Sequence, residues 1–246
     1  MNTSPERLSS ARILLVGTGG VGAPAAIALA EAGVGTLVLA DEDRVEMANL
    51  HRQLLFEESD IGQSKLDASK RALERRRPGI AIELFRGRAL PATAYALARD
   101  VDAVVDATDN FASRFLLADA CRLAEKPVVH VAAIRWIGTA VSTAPRGAPC
   151  YRCLFEDLPD AAPDCATAGI VGPVCGVIGG IAAEMALRAA VGDTRLFGRV
   201  ATFDGRTDEL RLVPVARRHD CSLCGPHPTI VDLVETRYTG GQPTAS

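Results

Sequence analysis

Aromatic residues are scarce in this chain: one Trp, three Tyr and seven Phe make up 4% of its 246 residues. Its core must be assembled mainly from Ala, Val, Leu and Ile, and the 48% hydrophobic fraction is ample for that. Excess basic charge is lacking too. The formal net charge of -3 excludes the cationic footprint of a nucleic-acid binder. A secretory signal is not visible either, because residues 1–12 are polar and charged with no apolar h-region. The longest apolar stretch, 168–183, is rich in Gly and is closed by Glu184 and Arg188. It falls short of the roughly 20 residues of a comfortable membrane span, so it reads as a buried helix and no membrane partner is expected. Cytoplasm is the expected compartment. Internal repeats are missing as well.

Cysteine is what the chain has in plenty for a reducing compartment: seven, of which four stand as Cys150-x-x-Cys153 and Cys221-x-x-Cys224. Cytosolic disulfides are rare, so such spacing points to metal or redox chemistry. Two Cys-x-x-Cys knuckles form a ligand set for tetrahedral Zn²⁺. All four positions would be ligands, which makes the metal structural, and it would clip a distant C-terminal segment onto the domain. The competing readings are a redox pair or simply buried cysteines. Redox is disfavoured because two pairs occur and neither sits on a strand-to-helix entry. Cys121 and Cys175 fall inside apolar helices and read as small core residues. Cys165 lies in a loop-like segment, 158–169, where a thiol can be reactive. His130, between Val129 and Val131, reads as a hydrogen-bonded core histidine.

Short apolar runs at 12–16, 36–40, 80–85, 103–106 and 128–133 alternate with helical patterns at 23–32, 64–77, 92–99 and 113–124. That alternation predicts an α/β, Rossmann-like, doubly wound and mainly parallel sheet. Runs at 139–143, 199–204 and 209–213 predict an antiparallel C-terminal extension, with a helix from Val171 to about Val191 between them.

The first strand runs into Gly17-x-Gly19-Gly20-x-Gly22 and then a helix, the context a phosphate-binding glycine loop requires. Asp41 ends the second strand, where a carboxylate can hold ribose hydroxyls. Alone, these features mean a nucleotide and favour NAD. Arg52 and Lys65 shift the balance, because hydride transfer has no need of two cations near the phosphates, whereas attack on an ATP α-phosphate does. Asp109, past a strand end, suits Mg²⁺ as a hard oxygen ligand. Solvated charges for the cations, and a helix N-cap for Asp109, are the plainer alternatives.

The combined string GTGGVG…DEDRVEMANLHRQ…GQSKLDA…DATDNFASR closely resembles the ThiF/MoeB/HesA family, relatives of the ubiquitin-activating enzymes. Likeness continues through Cys150-Tyr151-Arg152-Cys153, Cys165-x-Thr167-Ala168-Gly169 and Cys221-x-x-Cys224-Gly225-Pro226-His227-Pro228, so it covers about 11–233. The resemblance implies an ATP- and Mg²⁺-dependent adenylyltransferase acting on a ubiquitin-like sulfur-carrier protein with a C-terminal diglycine. By that likeness Asp41 would hold the ribose with Asp43 nearby. Asn49, Arg52 and Gln53 would line the phosphates and the reacting carboxylate. Lys65 would neutralise phosphate charge, and Asp109, next to Asn110, would bind the metal ion. Arg114 matches an arginine of the motif without an assigned role. Cys165 would be the thiol that links covalently to the activated carrier.

The implied plan is a short N-terminal arm (1–11), one adenylation domain (12–235) and a flexible tail (236–246). Within the domain, the nucleotide part covers about 12–135 and the carrier and zinc part about 136–235. A homodimer and a sulfur-donor protein are the further partners expected. One departure stands out: the family's N-terminal Arg-Tyr-x-Arg-Gln-like arm finds no match, since neither Arg7 nor Arg12 stands in such a motif. Activation of a different carboxylate or a tRNA-linked substrate is the alternative, and an NAD(P)-dependent oxidoreductase a more distant one. A zinc-stapled scaffold without activity is the non-enzymatic reading.

Overall fold

The computed structural model describes residues 5–146, 149–158 and 169–238. Five strands, β1 (Arg12–Val16), β2 (Thr36–Asp41), β3 (Ala81–Arg86), β4 (Ala103–Asp106) and β5 (Val128–Ile134), pair in parallel. Three more, β6 (Ile137–Thr143), β7 (Arg199–Asp204) and β8 (Glu209–Pro214), continue the sheet antiparallel. The order is β3-β2-β1-β4-β5-β6-β7-β8. This is the expected Rossmann-like sheet with its antiparallel extension. The change of direction after β5 is local in cause. Ile134 pairs with Ile137 across a tight hairpin, and Arg135 takes a φ of 51°, the left-handed twist such turns need.

The helices are α1 (Pro5–Ser10), α2 (Gly22–Glu31), α3 (Lys65–Arg76), α4 (Pro91–Arg99), α5 (Phe111–Leu123), α6 (Tyr151–Leu154) and α7 (Gly172–Ala190). Strand residues divide by parity between two cores. Ile13, Leu15, Leu37, Leu39, Val105 and Val129 face α2, α3 and α7. Leu14, Val16, Val38, Val104 and Val128 face α4 and α5. Burial on both faces explains why these strands read as continuous apolar runs. Each fully buried Leu or Ile contributes roughly 1.5–3 kcal/mol, so aliphatic side chains suffice where aromatics are few.

Helix α7 is longer than the apolar stretch that announced it. At 19 residues it is apolar enough to cross a bilayer by length and composition, yet half of it is buried inside the protein. It packs on α2 and crosses β4, β5, β6 and β7. A core helix is therefore what the structure shows.

Two segments outside the main alternation are held onto the domain. The segment expected as an arm, 1–11, contains helix α1, anchored where Arg7 Nη1 donates to the Val191 carbonyl at 3.0 Å. The flexible tail was expected from 236, but 235–238 form a 3₁₀ turn and Tyr238 is buried. Its hydroxyl donates to Asp119 of α5 at 2.9 Å. An aromatic ring that covers apolar surface and meets a buried acceptor has no reason to stay in solvent. Residues 239–246 lie outside the described residues.

Candidate active site

The strand ends of β1, β2, β3 and β4 open into a cleft of about 250 Å³. Its floor is the glycine loop. Gly17 takes a φ of +88°, and a Cβ there would come 2.8 Å from the Ala107 carbonyl oxygen. A Cβ on Gly22 would meet the Gly17 carbonyl oxygen at 1.9 Å. Side chains are thus excluded where a phosphate must approach the backbone. No side chain caps the start of α2; Ala23 N–H turns back to the Gly19 carbonyl at 2.9 Å and Pro24 carries no N–H, so it is the N–H groups of the glycine loop leading into the helix, with the positive end of its dipole, that remain for an anion.

Asp41 sits at the lip of β2 and ties this loop down. Its Oδ2 accepts from Thr18 N at 2.7 Å and Thr18 Oγ1 at 2.9 Å, and its Oδ1 accepts from Asp43 N at 2.9 Å. Asp43 in turn holds Lys65, with Nζ 2.7 Å from Oδ2. The two carboxylates therefore link the glycine loop to the first residue of α3. Lys65 is only 8% exposed along its side chain, so its charge acts in a partly desolvated wall, where it is felt more strongly than in water.

Arg52 lines the same cleft, while Asn49 does not. Asn49 stands behind it: Arg52 Nη2 donates to Asn49 Oδ1 at 2.5 Å. Gln53 lines the cleft and is buried, and its Oε1 accepts nothing from the described residues. A buried acceptor without a partner is costly. His51 is exposed, with Nε2 3.4 Å from Arg52 Nη1, and lies outside the lining.

Asp109, Asn110 and Ser113 close the cleft on the β4 side. The reading of Asp109 as a helix cap does not hold. Asn110 is the N-cap of α5, its Oδ1 accepting from Ser113 N at 2.9 Å. Asp109 is exposed at the cleft and keeps its oxygens outside the helix hydrogen bonding, as a single carboxylate ligand of Mg²⁺ requires.

Beneath this loop lies a connected group whose anchor, Asp106, carries no role in the sequence reading. Asp106 is fully buried, accepting from Thr108 N at 3.0 Å and Thr108 Oγ1 at 2.6 Å, and it meets His130 Nδ1 at 2.6 Å. Burial alone would push its carboxyl up; the His130 hydrogen bond and the charge of Arg114 outweigh this and hold it below the usual range. Arg114 is buried, lines the cleft, and donates to the carbonyls of Thr108 and Val131. His130 is the core histidine expected. Cys121 and Cys175 are buried as expected. Cys165 lies outside the described residues. Glu42 and Arg88 also line the cleft; the first stands within the DEDRVEMANLHRQ string without an assigned role, and the second lies outside every motif.

The paired cysteines meet as one buried cluster. Cys150 Sγ lies 3.6 Å from Cys221 Sγ, Cys153 Sγ lies 3.4 Å from Cys224 Sγ, and all four sulfurs fall within 4.8 Å of one another. Tetrahedral Zn²⁺ with Zn–S bonds near 2.3 Å needs sulfurs roughly 3.8 Å apart, so the set fits. The charge arithmetic fits as well. A hydrogen bond shared with Cys224 pushes the Cys150 thiol up and lowers Cys224 to about 5, while burial raises Cys153. Four thiolates in such a space need a cation between them. The backbone N–H of Arg218, 3.5 Å from Cys153 Sγ, adds a donor to the sulfur cluster. Leu223, Ile230 and Val215 pack around the cysteines as a small separate core.

A Rossmann-like sheet, a glycine loop beneath two cations and an acid, and a four-cysteine cluster together define a nucleotide-binding domain whose C-terminal segment meets it at a set of thiols that could hold a metal ion. Residues 2–223 match the ThiF family. The chain belongs to that family. It is 41% identical over 231 residues to the adenylyltransferase and sulfurtransferase MOCS3 of Bos taurus, covering 92% of this chain and 51% of that protein. It is 38% identical over 222 residues to the SAMP-activating enzyme E1 of Haloferax volcanii, covering 89% and 82%. The chain thus spans about half the length of the MOCS3 relatives. Escherichia coli MccB, solved with ATP, shares the fold at a TM-score of 0.77 and 22% identity over 90% of this chain and 68% of that one.

Proposed function

We propose that this chain adenylates the C-terminal carboxylate of a ubiquitin-like sulfur-carrier protein ending in diglycine, using Mg²⁺–ATP. The observation that carries the reading is convergence: the glycine loop, Arg52, Lys65 and Asp109 line one cleft in a chain of the ThiF family. A carrier carboxylate is already ionised at neutral pH, so no general base is required. One carboxylate oxygen attacks the α-phosphorus, the bond to the β-phosphate oxygen breaks, and acyl-adenylate and pyrophosphate result. The difficulty is repulsion between two anions, and fixed positive charge removes it.

Each residue has a place in that scheme. The glycine-loop N–H groups leading into α2 receive phosphate, and Asp41 receives the ribose hydroxyls. Arg52, steadied by Asn49, spans the phosphates and the incoming carboxylate, with Gln53 beside it. Lys65 exchanges its Asp43 partner for phosphate oxygens. Asp109, next to Asn110, would hold Mg²⁺, which when bound neutralises charge on the departing pyrophosphate. Zn²⁺ on Cys150, Cys153, Cys221 and Cys224 would be structural, and Cys165 would take the carrier as a covalent adduct. A homodimer and a sulfur-donor protein complete the expected assembly.

ATP–pyrophosphate exchange with purified diglycine-ended carriers tests the proposal. Exchange should depend on one such carrier and fall by roughly a hundredfold or more in Asp109→Ala and in Arg52→Ala. Near-wild-type exchange in both variants would undo the assignment.

A further inference from the structure

Strand order sets the direction in which a nucleotide lies. The glycine loop follows β1 and Asp109 follows β4, whereas Asp41 ends β2, and β3 lies beyond β2 on the far side. With neighbouring strands about 4.8 Å apart, the end of β3 is roughly 14 Å from the end of β4. Phosphates at the glycine loop and ribose at Asp41 leave the base above the loop that follows β3. That loop brings Gly87, Arg88 and Ala89 to the cleft wall. It is fastened to the ribose acid's own backbone, Gly87 N–H donating to the Asp41 carbonyl at 3.3 Å.

Arg88 Nε lies 3.3 Å from Glu42 Oε1, and their side chains are 44% and 48% exposed. Such an exposed pair contributes little to stability, so the core does not explain it. What it does is hold a planar guanidinium by its Nε edge, at a wall of the cleft that Ala40 and Ala89 also line. A guanidinium face stacks on aromatic rings, which an ammonium cannot do.

We propose that Arg88, held by Glu42, stacks on the nucleotide base and gives this chain its grip on the adenine end of ATP. The inference rests on the reading of the cleft as an ATP site, and the test separates the two. Calorimetric titration with Mg²⁺–ATP would compare the wild-type chain with Arg88→Ala and Arg88→Lys. Competition by Mg²⁺–pyrophosphate, which has no base, runs alongside. Both variants should bind ATP roughly three- to thirtyfold more weakly, with pyrophosphate affinity and melting temperature unchanged. Recovery of wild-type affinity in Arg88→Lys overturns the inference, because charge and not stacking would then be the cause. An equal loss for pyrophosphate overturns it too, as does unchanged ATP affinity in Arg88→Ala. Wild-type protein that fails to bind Mg²⁺–ATP refutes the site itself, and the role of Arg88 with it.

Discussion

Asp119→Ala is the substitution whose cost is best defined by the structure. The Asp119 carboxylate, fully buried on α5, accepts from Arg152 Nε and Nη2 at 2.8 Å each and from the Tyr238 hydroxyl at 2.9 Å. Arg152 is 4% exposed and its Cζ lies 4.6 Å from the centroid of the Phe115 ring. Its remaining carboxylate neighbour is Asp157, 87% exposed and 3.6 Å away, which offsets little. The fork joins α6, between the cysteines of the first knuckle, to α5, which begins at the Asp109 loop. Truncation leaves a buried guanidinium without its counterion, which costs about 3–5 kcal/mol. The orphaned Tyr238 hydroxyl adds about 1 kcal/mol. At roughly 2–4 °C per kcal/mol for a chain of this size, the melting temperature should fall by about 8–24 °C. The assay is reversible urea unfolding followed by far-ultraviolet circular dichroism, with zinc content held equal. The double variant Asp119→Leu with Arg152→Met removes both charges and should lose less than about 2 kcal/mol, because no ion is left buried alone. A single variant within about 1 kcal/mol of wild type, or a double no better than the single, refutes the reasoning.

Thorough dialysis should leave about one zinc per chain, whereas Cys221→Ser should lose the metal and expose the segment after β8 to protease; retention of metal with unchanged cleavage would reject the clip. Gly22→Ala should weaken Mg²⁺–ATP binding by at least about tenfold, because the added Cβ falls 1.9 Å from the Gly17 carbonyl oxygen, and calorimetry that shows no change would contradict the geometry of the loop. Asp106 has a folded pKa below its unfolded value of about 3.9, so its contribution is complete above that pH and is lost as pH falls through the folded value. Asp106→Asn should therefore be less stable at neutral pH and show a flatter acid limb in stability against pH; an unaltered limb would assign acid sensitivity elsewhere.

The parts legible in the sequence were those governed by local chemistry. Parallel strands buried on both faces must be apolar throughout, so β1, β2, β4 and β5 stood out as runs of Val, Leu and Ile. The glycine loop was legible because backbone must approach phosphate, and the paired cysteines because a tight turn presents two thiolates. What escaped notice depends on partners remote in the chain. Arg152 meets Asp119 across 33 residues and Tyr238 meets Asp119 across 119, and nothing beside Tyr238 distinguishes a packed ring from a tail. Arg88 escaped for a similar reason, since its position beyond β2 exists only once the strands are ordered.

The Asp109-Asn110 step divides two tasks between neighbouring residues. Either residue type caps a helix, and the residues alone allow Asp109 to be read as a metal ligand or as the cap. In the structure Asn110 takes the Ser113 N–H, which starts α5 one residue later and leaves Asp109 facing the cleft. The division follows from charge: a neutral amide oxygen satisfies a helix N–H as well as a carboxylate does, while only the carboxylate is a strong ligand for a hard dication. Placing the amide on the helix and the anion in the cleft lets the short loop after β4 both begin a helix and offer the carboxylate proposed to hold Mg²⁺. Exchanging the two residues would lose both arrangements, although the composition of the chain would be unchanged.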